Sequence, residues 1–478
     1  MSVVEKVPFK LFPLNKTSNN KYSFYESSPV INFQFQATGA RVIDPKSLRL
    51  CGKFRILQNN TVKKMLPANR FDRDCSDTTQ QDYEKVAYIS DRVGPSSCIS
   101  SISISNMRGQ LMEQVKSYGR MLSSLKASTS SFRDYCSVNQ NLWGSFPNQN
   151  CLANAISSDV PFAMPMRCGF LMEDQPISLA NGGLKITLNL ANDAQVIYGL
   201  NGRDFVYELH DLFLSGSYMV LDQPVQPQKG QLLEYHQFYS YLNTLNSGLD
   251  HQNLNLNLKN VVSVYSNFSP STWTSSYEFD GFSTPKIMNK DNKETDLNEI
   301  RFNRGATMYP LTFPIRERTI NNSGGFEALR SRHFLNSIAG YARLTHSTIS
   351  AQSEALTNYS SEQDYVQQGA ASGAVQNDYY TNQDVDRGNV YQWEYDAGDA
   401  WERDTSDTKS IEKSGRVWAI GFRPDELLND STQDYSQASY NYSLESGHDG
   451  VNPNSVFTFV LAKTQVFSDG MGGIVSAN

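Results

Sequence analysis

Apolar and polar residues alternate in two separate parts of the chain, and the second part repeats the plan of the first. In the first half, residues 31–36 alternate, a Thr-Gly turn follows, and alternation resumes over 48–56. In the second half, residues 232–242 and 254–268 follow the same plan around a turn. Side chains of a strand point to alternate faces, so a period of two predicts strands with one buried and one wet face. The pattern therefore predicts two similar antiparallel β domains in tandem.

Alternation predicts further strands in both halves, and apolar residues at helical spacing predict two helices. In the first half we expect strands near 30–37, 47–57, 98–105, 160–171, 184–190 and 205–221. In the second half we expect strands near 232–242, 252–268, 308–313, 415–422 and 455–467. The helices are expected at 326–344 and at 108–126, where one stripe carries Leu111, Val115, Tyr118, Leu122 and Leu125.

Composition divides the chain into an arm, two domains and a linker. Residues 1–28 carry few alternating apolar positions and are predicted to form an extended N-terminal arm outside the first domain, 29–222. Two prolines in the polar run QPVQPQ disfavour regular structure, which places the linker at 223–231 and the second domain at 232–478. Residues 350–414 are rich in Ser, Gln, Asn and Asp and are predicted to form a long surface loop.

Composition and charge argue against several classes of function. The formal net charge of -7 gives no general attraction to phosphate, so no direct nucleic-acid binding is expected. No apolar run approaches the roughly 18 residues of a membrane-spanning helix, and the first residues lack the apolar core of a signal peptide. We therefore expect synthesis and assembly in the cytoplasm or nucleus. The 25 Phe and 25 Tyr residues exceed what two cores need and predict aromatic contact surfaces.

The cysteines predict reduced thiols. All six lie in the first half and none has C-x-x-C spacing; they are Cys51, Cys75, Cys98, Cys136, Cys151 and Cys168. A secreted disulfide scaffold would be expected to cross-link both halves. We therefore expect mostly buried, unpaired thiols.

Two short motifs resemble catalytic arrangements, and neither predicts a site. His210-Asp211 lies beside Ser215 and Ser217, yet all belong to one predicted strand without a G-x-S-x-G elbow. Ser123 and Lys126 match S-x-x-K spacing but lack the companion motifs of that acyl-transfer class, which predicts the solvated end of a helix. We assign no catalytic residue and expect no enzymatic activity.

Two stretches resemble parts of metal and sugar sites. The six histidines have no metal-ligand spacing among themselves or with the cysteines, so no metal or cofactor is assigned. Asp384, Asp386 and Gly388 resemble part of a calcium loop that lacks its bidentate glutamate. Acidic and aromatic residues at 393–404 have the composition of an acid/base pair in a sugar cleft, although such loops more often form ordinary surface. Both interpretations stay open as alternatives.

Three stretches are more specific than strand alternation. PISLANGGLKITLNL at 176–190 combines a proline, a Gly-Gly turn and strict alternation. YELHDLFLSGSYMV at 207–220 leads through the linker to VYSNF at 264–268, and QVFSDGMGGI at 465–474 is a strand that runs into a glycine-rich segment. In this order the three resemble the double jelly-roll major capsid proteins of tailless icosahedral double-stranded DNA viruses, the lineage of large algal viruses, virophages and polinton-like viruses.

The resemblance implies a fold, an assembly and a location. The fold is all-β, with two tandem eight-stranded antiparallel jelly rolls and short helices in the connections. The function is that of a structural major capsid protein whose homotrimers form pseudo-hexagonal capsomers that tile an icosahedral virion shell. The implied partners are other copies of the chain, minor capsid and penton proteins and, in some members, an internal membrane. The implied location is the virion capsid.

The sequence also leaves one alternative function open, and it yields a prediction for the two ends of the chain. A β-sandwich protein that binds or cleaves glycans is the alternative, because it accounts for the acidic and aromatic residues but not for the glycines at 470–473. On the capsid interpretation, the arm and this glycine-rich segment are assembly elements, since glycine lets backbone lie close against another surface. Removal of residues 1–20 or 470–478 is then expected to leave each jelly roll folded.

Overall fold

The protein's structure is a computed structural model. It describes residues 3–17, 20–24, 29–58, 61–63, 66–67, 88–90, 93–129, 160–173, 175–198, 205–246, 250–271, 273–275, 282, 287–288, 294–295, 299–304, 307–309, 337, 419–424, 434, 440–446 and 454–476. The predicted loop at 350–414, including the calcium-loop-like and acidic-aromatic residues, lies outside the described residues. The predicted helix at 326–344, apart from residue 337, also lies outside them.

Strands dominate both halves of the chain. The strands of the first half are β1 Val3–Leu11, β2 Lys21–Tyr22, β3 Val30–Phe35, β4 Arg41–Gln58, β5 Thr61–Lys63, β6 Leu66–Pro67, β7 Tyr88–Ile89, β8 Ile99–Ser105, β9 Leu111–Lys116, β10 Val160–Pro165, β11 Ile177–Ser178, β12 Leu184–Leu190, β13 Ile197–Tyr198 and β14 Phe205–Leu221. Those of the second half are β15 Leu232–Leu245, β16 Asp250–Asn255, β17 Val261–Pro270, β18 Ile287–Met288, β19 Glu294–Thr295, β20 Glu299–Arg304, β21 Thr307–Tyr309, β22 Ala419–Phe422, β23 Tyr440–Ser446, β24 Asn454–Ser468 and β25 Ile474–Ser476.

Helices are few and short in the described part of the chain. The longest is the α-helix Tyr118–Thr129, and a four-residue helix, Asp193–Val196, is closed by a capping box between Asn192 and Gln195. Two 3₁₀ turns span Gly94–Cys98 and Phe170–Met172. Within the described residues, no helix has the length and apolar character needed to cross a membrane.

The first half folds into two facing sheets with the strand order of a jelly roll. One sheet runs β1-β14-β4-β10 and the other β3-β12-β8-β9. Counting only these eight strands along the chain, the orders are first-eighth-third-sixth and second-seventh-fourth-fifth. The pairs in both sheets are antiparallel, as in the 17-residue strand β14, which lies between β1 and β4.

The second half repeats this wiring strand for strand. Its sheets run β15-β24-β17-β22 and β16-β23-β20-β21, and β25 adds to β24. The eight main strands again occupy the orders first-eighth-third-sixth and second-seventh-fourth-fifth. The prediction of an all-β chain built from two jelly rolls is therefore confirmed. The last main strand of the first roll ends at Leu221, and the first strand of the second roll begins at Leu232.

Alternating burial explains why these segments form strands. Burial alternates without a break along β12, Leu184–Leu190, whose inward side chains are leucine and isoleucine. The predictions of 184–190 and 205–221 match the observed strands, whereas the predicted strand at 252–268 is two strands, β16 and β17. The strands β20 and β23 were not predicted.

The predicted helix at 108–126 is wrong in its first half. Residues 111–116 form β9, and the helix begins only at Tyr118, after a left-handed backbone position at Ser117 with φ of 55°. Leu111 and Val115 fit a helical stripe, but the buried positions of β9 are Glu113 and Val115, which have the period of a strand. Helical and strand spacing share the step of four residues, so the sequence stripe could not separate them.

The predicted arm at 1–28 is also wrong as an element outside the fold. Its residues 3–11 are β1, which pairs with β14 from Val3 opposite Leu221 to Leu11 opposite Leu214. Only the last part of β1 turns side chains inward, and the Phe9 ring packs 4.4 Å from that of Tyr218. Because β1 is an edge strand with few inward positions, its apolar alternation is too short to be recognised in the sequence.

The connections give each roll two different ends. The long connections 59–98, 117–159, 271–298 and 310–418 all leave one end, which we call the long-connection end. The opposite end, which we call the short-connection end, carries the turns 36–40, 106–110 and 256–260 together with the connection 166–183. One hydrophobic cluster runs through both rolls, from Phe33 in the first to Phe459 in the second.

Candidate functional site

A buried carboxylate joins the edges of the two jelly rolls. Glu113 lies on β9, an edge strand of the first roll, and its side chain is 1% exposed. Its Oε1 accepts hydrogen bonds from the backbone N–H groups of Gly169 at 2.9 Å and of Phe238 at 2.7 Å, and its Oε2 accepts one from Phe170 at 2.8 Å. Phe238 belongs to β15, an edge strand of the second roll. The carboxylate therefore accepts an N–H group of the edge strand β15 that a neighbouring strand would otherwise bind.

A second carboxylate repeats this contact two residues away. The Glu173 Oε1 accepts the backbone N–H of His236 at 2.5 Å and lies 2.8 Å from the Nδ1 of the same residue. His236 and Phe238 alternate along β15, so their N–H groups point to the same edge of the strand. Two glutamates of the first roll thus satisfy edge donors of the second.

The backbones of the two rolls approach too closely for a side chain at Gly169. A Cβ there would lie 2.7 Å from the Cα of Gln237 and from the carbonyl oxygen of His236. The neighbouring Phe170 ring stands edge-on to Tyr235, with 5.1 Å between the ring centroids. This glycine is required by close approach, because its backbone angles are ordinary helical ones.

The helix Tyr118–Thr129 forms a second part of the junction. Asn267 on β17 donates its amide N–H groups to the Arg120 carbonyl and to the Ser124 hydroxyl, each at 3.0 Å. The Tyr265 hydroxyl donates to the Met121 carbonyl at 3.2 Å. The guanidinium of the buried Arg120 lies 5.0 Å from the ring centroid of Phe457. The helix end of the first roll is therefore anchored on the sheet of the second.

The C-terminal segment 469–476 is bound to the first roll, and we call it the clasp. Gln110, in the turn after β8, donates to the Ile474 carbonyl at 2.7 Å and accepts its N–H at 2.9 Å. Arg108 pairs with Asp469 at 3.0 Å and also donates to the Met471 carbonyl. The side chain of Ile474 is 8% exposed and joins the common hydrophobic cluster.

Glycines and one aspartate shape the clasp. Gly470 and Gly472 have φ of 78° and 88°, a backbone region that residues with a Cβ disfavour. The Asp469 Oδ1 accepts the N–H groups of Met471 and Gly473, each at 2.7 Å, and these hydrogen bonds hold the pKa of Asp469 below its ordinary value. A Cβ at Gly182 of the first roll would lie 2.3 Å from the Gly472 carbonyl oxygen.

Exposed apolar side chains gather at the short-connection end. Leu232, Phe467 and Val475 face one another across β15, β24 and β25, and all three are exposed. Eight of the eleven exposed large apolar residues of the described chain lie at this end; they are Val3, Val4, Met107, Leu111, Leu232, Phe467, Met471 and Val475. Contiguous exposed apolar surface marks contact with another molecule more often than scattered residues do.

The outer sheet edges of the first roll are protected against strand addition. The edge strand β1 carries Pro8 between Lys6 and Lys10, and the opposite edge strand β10 carries Pro161 and Pro165. Proline lacks the N–H that a further strand would need, and charged lysines disfavour edge pairing. Contacts at these edges are therefore expected to use side chains.

Three solved structures resemble the chain over 97% or more of its length. PBCV-1 VP54, fitted into a reconstruction of the virophage Sputnik, has a TM-score of 0.50 and 10% identity, and the match covers 100% of this chain and 98% of that chain. The Sputnik virophage structure has a TM-score of 0.50 and 10% identity, with coverage of 100% of this chain and 89% of that chain. The Faustovirus major capsid protein has a TM-score of 0.50 and 8% identity, with coverage of 97% of this chain and 90% of that chain. No family model matches the sequence, and no curated protein matches it. This chain has the double jelly-roll fold of viral major capsid proteins. At such low identity the likeness concerns the fold.

The described residues of the triad-like motif each contact a different partner. His210 is buried and its Nε2 lies 3.0 Å from the Glu208 carboxylate, whose pKa is lowered mainly by this hydrogen bond. Asp211 is exposed, has a left-handed φ of 50° and pairs with Lys53 at 3.1 Å. Ser217 donates its backbone N–H to the Ser47 hydroxyl. These residues of β14 therefore form contacts with other residues of the same sheet.

The prediction that Ser123 lies at the solvated end of a helix is wrong. Ser123 is fully buried on the helix Tyr118–Thr129, and its hydroxyl donates to the Arg120 carbonyl at 2.8 Å. The helix is buried there because it packs against β8 and the 3₁₀ turn Gly94–Cys98 of the first roll and against β24 of the second. No group of three metal-ligating side chains occurs among the described residues.

The described thiols are buried or half-buried. Cys98 and Cys168 are fully buried, and burial raises the pKa of each thiol well above its ordinary value. Cys51 is half-buried, and burial raises its pKa as well. All three are unpaired, whereas Cys75, Cys136 and Cys151 lie outside the described residues.

The junction residues were missed by sequence reasoning. Glu113 falls within the predicted helix at 108–126 but outside its apolar stripe, and this prediction hid its inward position on β9. Gln110 and Glu173 lie in turns without any motif. The one available signal was a charged residue at an inward position, two residues before the buried Val115.

Proposed function

We propose that this chain is a structural major capsid protein, the building block of an icosahedral virion shell. The observation that carries this proposal is the repeated wiring of two jelly rolls joined into one unit, a fold shared with the Faustovirus major capsid protein. The role is structural and not enzymatic. The energy of assembly comes from burial of surface between copies, without making or breaking a bond.

Three copies form the capsomer in this proposal. A unit with two equivalent lobes presents six lobes when three copies surround an axis, and six lobes make the pseudo-hexagonal outline that tiles a closed surface. Closed cyclic symmetry is the usual arrangement of homo-oligomers. Stable obligate contacts bury about 2,000 Å² or more in total, which a chain of 53.7 kDa can supply.

The two ends of the rolls face opposite sides of the shell in this proposal. The long-connection end faces outward, where connections as long as 310–418 have room. The short-connection end faces inward, because its exposed apolar residues need cover. Minor capsid proteins, penton proteins or an internal membrane would provide this cover in the virion.

Light scattering of the purified chain tests the proposal. A trimer has about three times the chain mass of 53.7 kDa, about 161 kDa, and should persist on dilution to micromolar concentration at physiological salt. A stable species of the single-chain mass under these conditions would contradict the capsomer role.

A further inference from the structure

An exposed patch of apolar and basic side chains lies where the chain crosses from β1 to β3, at the edge of the first roll that is opposite the junction. We call it the early-edge patch; it consists of Lys10, Phe12, Leu14, Lys16 and Phe213. Phe12 is 50% and Leu14 59% exposed, and both lie away from the short-connection end. The Lys10 Nζ lies 3.9 Å from the ring centroid of Phe213 and 5.0 Å from that of Phe12. The Lys16 Nζ lies 5.6 Å from the Phe12 centroid.

Hydrogen bonds to β3 hold the patch in place. Leu14 donates its backbone N–H to the Asn32 carbonyl at 2.7 Å, and the Asn15 side chain accepts the Asn32 N–H at 3.0 Å. Pro13 is buried, so Phe12 and Leu14 on either side of it face outward. A surface that is already ordered loses little conformational freedom when a partner binds.

The two lysines of the patch carry positive charge that no carboxylate neutralises. In the described part of the chain, neither Lys10 nor Lys16 has an ion-pair partner, whereas Lys6, Lys21 and Lys53 each pair with a carboxylate. Ammonium groups beside an exposed aromatic ring match a partner that presents carboxylates together with aromatic rings. The patch therefore fits an acidic and aromatic peptide segment.

The chain itself contains a segment with this composition. Residues 393–404 carry five carboxylates, one arginine and three aromatic side chains. They belong to the connection 310–418 of the second roll and lie outside the described residues. Asp399, in the middle of this acidic-aromatic segment, is 20 positions before Ala419, the first residue of β22.

Distance decides which copy of the chain supplies the segment. The junction joins the β9 side of the first roll to β15, so the patch and β22 lie at opposite far edges of the two-roll unit. A roll of about 200 residues is about 40 Å wide, which separates β22 from the patch of its own chain by about 80 Å. Twenty fully extended residues span at most about 70 Å, without any detour around the rolls. A second copy that continues the row head to tail brings its patch directly beside β22.

We propose that the early-edge patch binds the acidic-aromatic segment 393–404 of a neighbouring copy of this chain. Carboxylates of the segment pair with Lys10 and Lys16, and its aromatic rings pack on Phe12. The contact rests on the proposed assembly of several copies, which gives each patch a neighbour. It weakens with added salt, because the screening length falls from about 10 Å at 0.1 M to about 3 Å at 1 M salt.

Carbodiimide cross-linking of two complementary variants tests the contact, because the reagent joins an amine to a carboxylate that touches it. One variant lacks the patch amines and carries Lys10→Gln with Lys16→Gln. The other lacks the carboxylates of the segment; its changes are Glu394→Gln, Asp396→Asn, Asp399→Asn, Glu402→Gln and Asp404→Asn. Mass spectrometry should find the patch linked to the segment in the wild type and in neither variant alone. Co-expression of the two variants should restore the link, since only a contact between copies can produce it.

A matched pair of apolar variants tests the aromatic part of the contact. Phe12→Ser keeps both amines and should lower the yield of the link by about 2- to 10-fold, the value of one aromatic contact. Leu242→Ser is the control: Leu242 is 57% exposed on the second roll, and its replacement should leave the yield unchanged.

The possible failures of the contact and of the assembly can be told apart. A trimer without the link, a link that co-expression does not restore, or a Phe12→Ser yield equal to that of Leu242→Ser overturns this contact and leaves the trimer standing. A chain that light scattering shows to be a monomer contradicts the proposed assembly, and the contact with it.

Discussion

Gly169→Ala tests how tightly the two jelly rolls are joined. Its backbone angles, φ of -56° and ψ of -51°, suit alanine, so the cost comes from contact alone. The new Cβ would lie 2.7 Å from the Gln237 Cα, and reaching an ordinary contact of 3.4 Å requires a shift of about 0.7 Å. Overpacking of this kind costs about 1–3 kcal/mol.

The same shift weakens the hydrogen bonds of the junction. It moves the N–H groups of Gly169 and Phe170 relative to the Glu113 carboxylate, and a hydrogen bond to a charged group contributes about 1.5–3 kcal/mol. Replacement of glycine by alanine also raises the free energy of unfolding by about 0.4–1 kcal/mol, because alanine restricts the unfolded chain. We therefore expect a net loss of about 2–4 kcal/mol in the free energy of unfolding.

Thermal unfolding combined with hydrogen exchange measures this loss. For a domain of about 200 residues, each kcal/mol lowers Tm by about 2–4 °C, so Tm should fall by about 5–15 °C. Exchange at the Phe238 amide should become faster. Gly109→Ala is the control: its φ of 80° makes alanine unfavourable, but no atom lies within 4 Å of the new Cβ. If Gly169→Ala loses no more stability than Gly109→Ala and Phe238 stays protected, the tight junction is refuted.

Three further predictions concern the clasp and the thiols. Gln110→Ala removes both hydrogen bonds to Ile474 and should cost about 1–2 kcal/mol, whereas Gln114→Ala, on the exposed side of β9, should cost less than about 0.5 kcal/mol in the same denaturation assay. Deletion of residues 470–478 should lower Tm by several degrees because it exposes the core site of Ile474; an unchanged Tm would restore the view of this segment as an assembly element alone. Cys98 and Cys168 should resist alkylation at neutral pH until the chain unfolds, and rapid labelling of the folded chain would contradict their burial.

Strands with a full inward alternation could be predicted from the sequence, and edge strands could not. Leu184–Leu190 has an apolar residue at every inward position, so its limits follow from the pattern. In Val3–Leu11 most side chains are exposed, and the strand exists because its backbone pairs with β14. Pairing with a distant segment leaves no local signal in the sequence.

The junction was hidden for a different reason. A buried glutamate at position 113 contradicts the rule that inward positions are apolar, so the apolar pattern gave no sign of its burial. Its burial is acceptable because three N–H groups from 169, 170 and 238 converge on it, and two of these belong to a turn that closes only in the folded chain. Such convergence depends on tertiary structure.

The aromatic residues are used differently from the sequence expectation. They were assigned to contact surfaces between copies, yet Phe12 and Phe467 are the only aromatic side chains among the exposed large apolar residues of the described chain. Many others fill the cores and the junction, as Phe170 and Tyr235 do. The exposed apolar surface at the short-connection end is mainly aliphatic.

Cryo-electron microscopy of the purified chain tests the central claim most directly. The claim is that the two joined jelly rolls of one chain form two of the six lobes of a capsomer. The account predicts a three-fold particle in which six jelly-roll lobes form a pseudo-hexagonal outline, with the short-connection ends on one face. Single chains, particles of another symmetry, or two rolls that vary independently in orientation within one chain would contradict it.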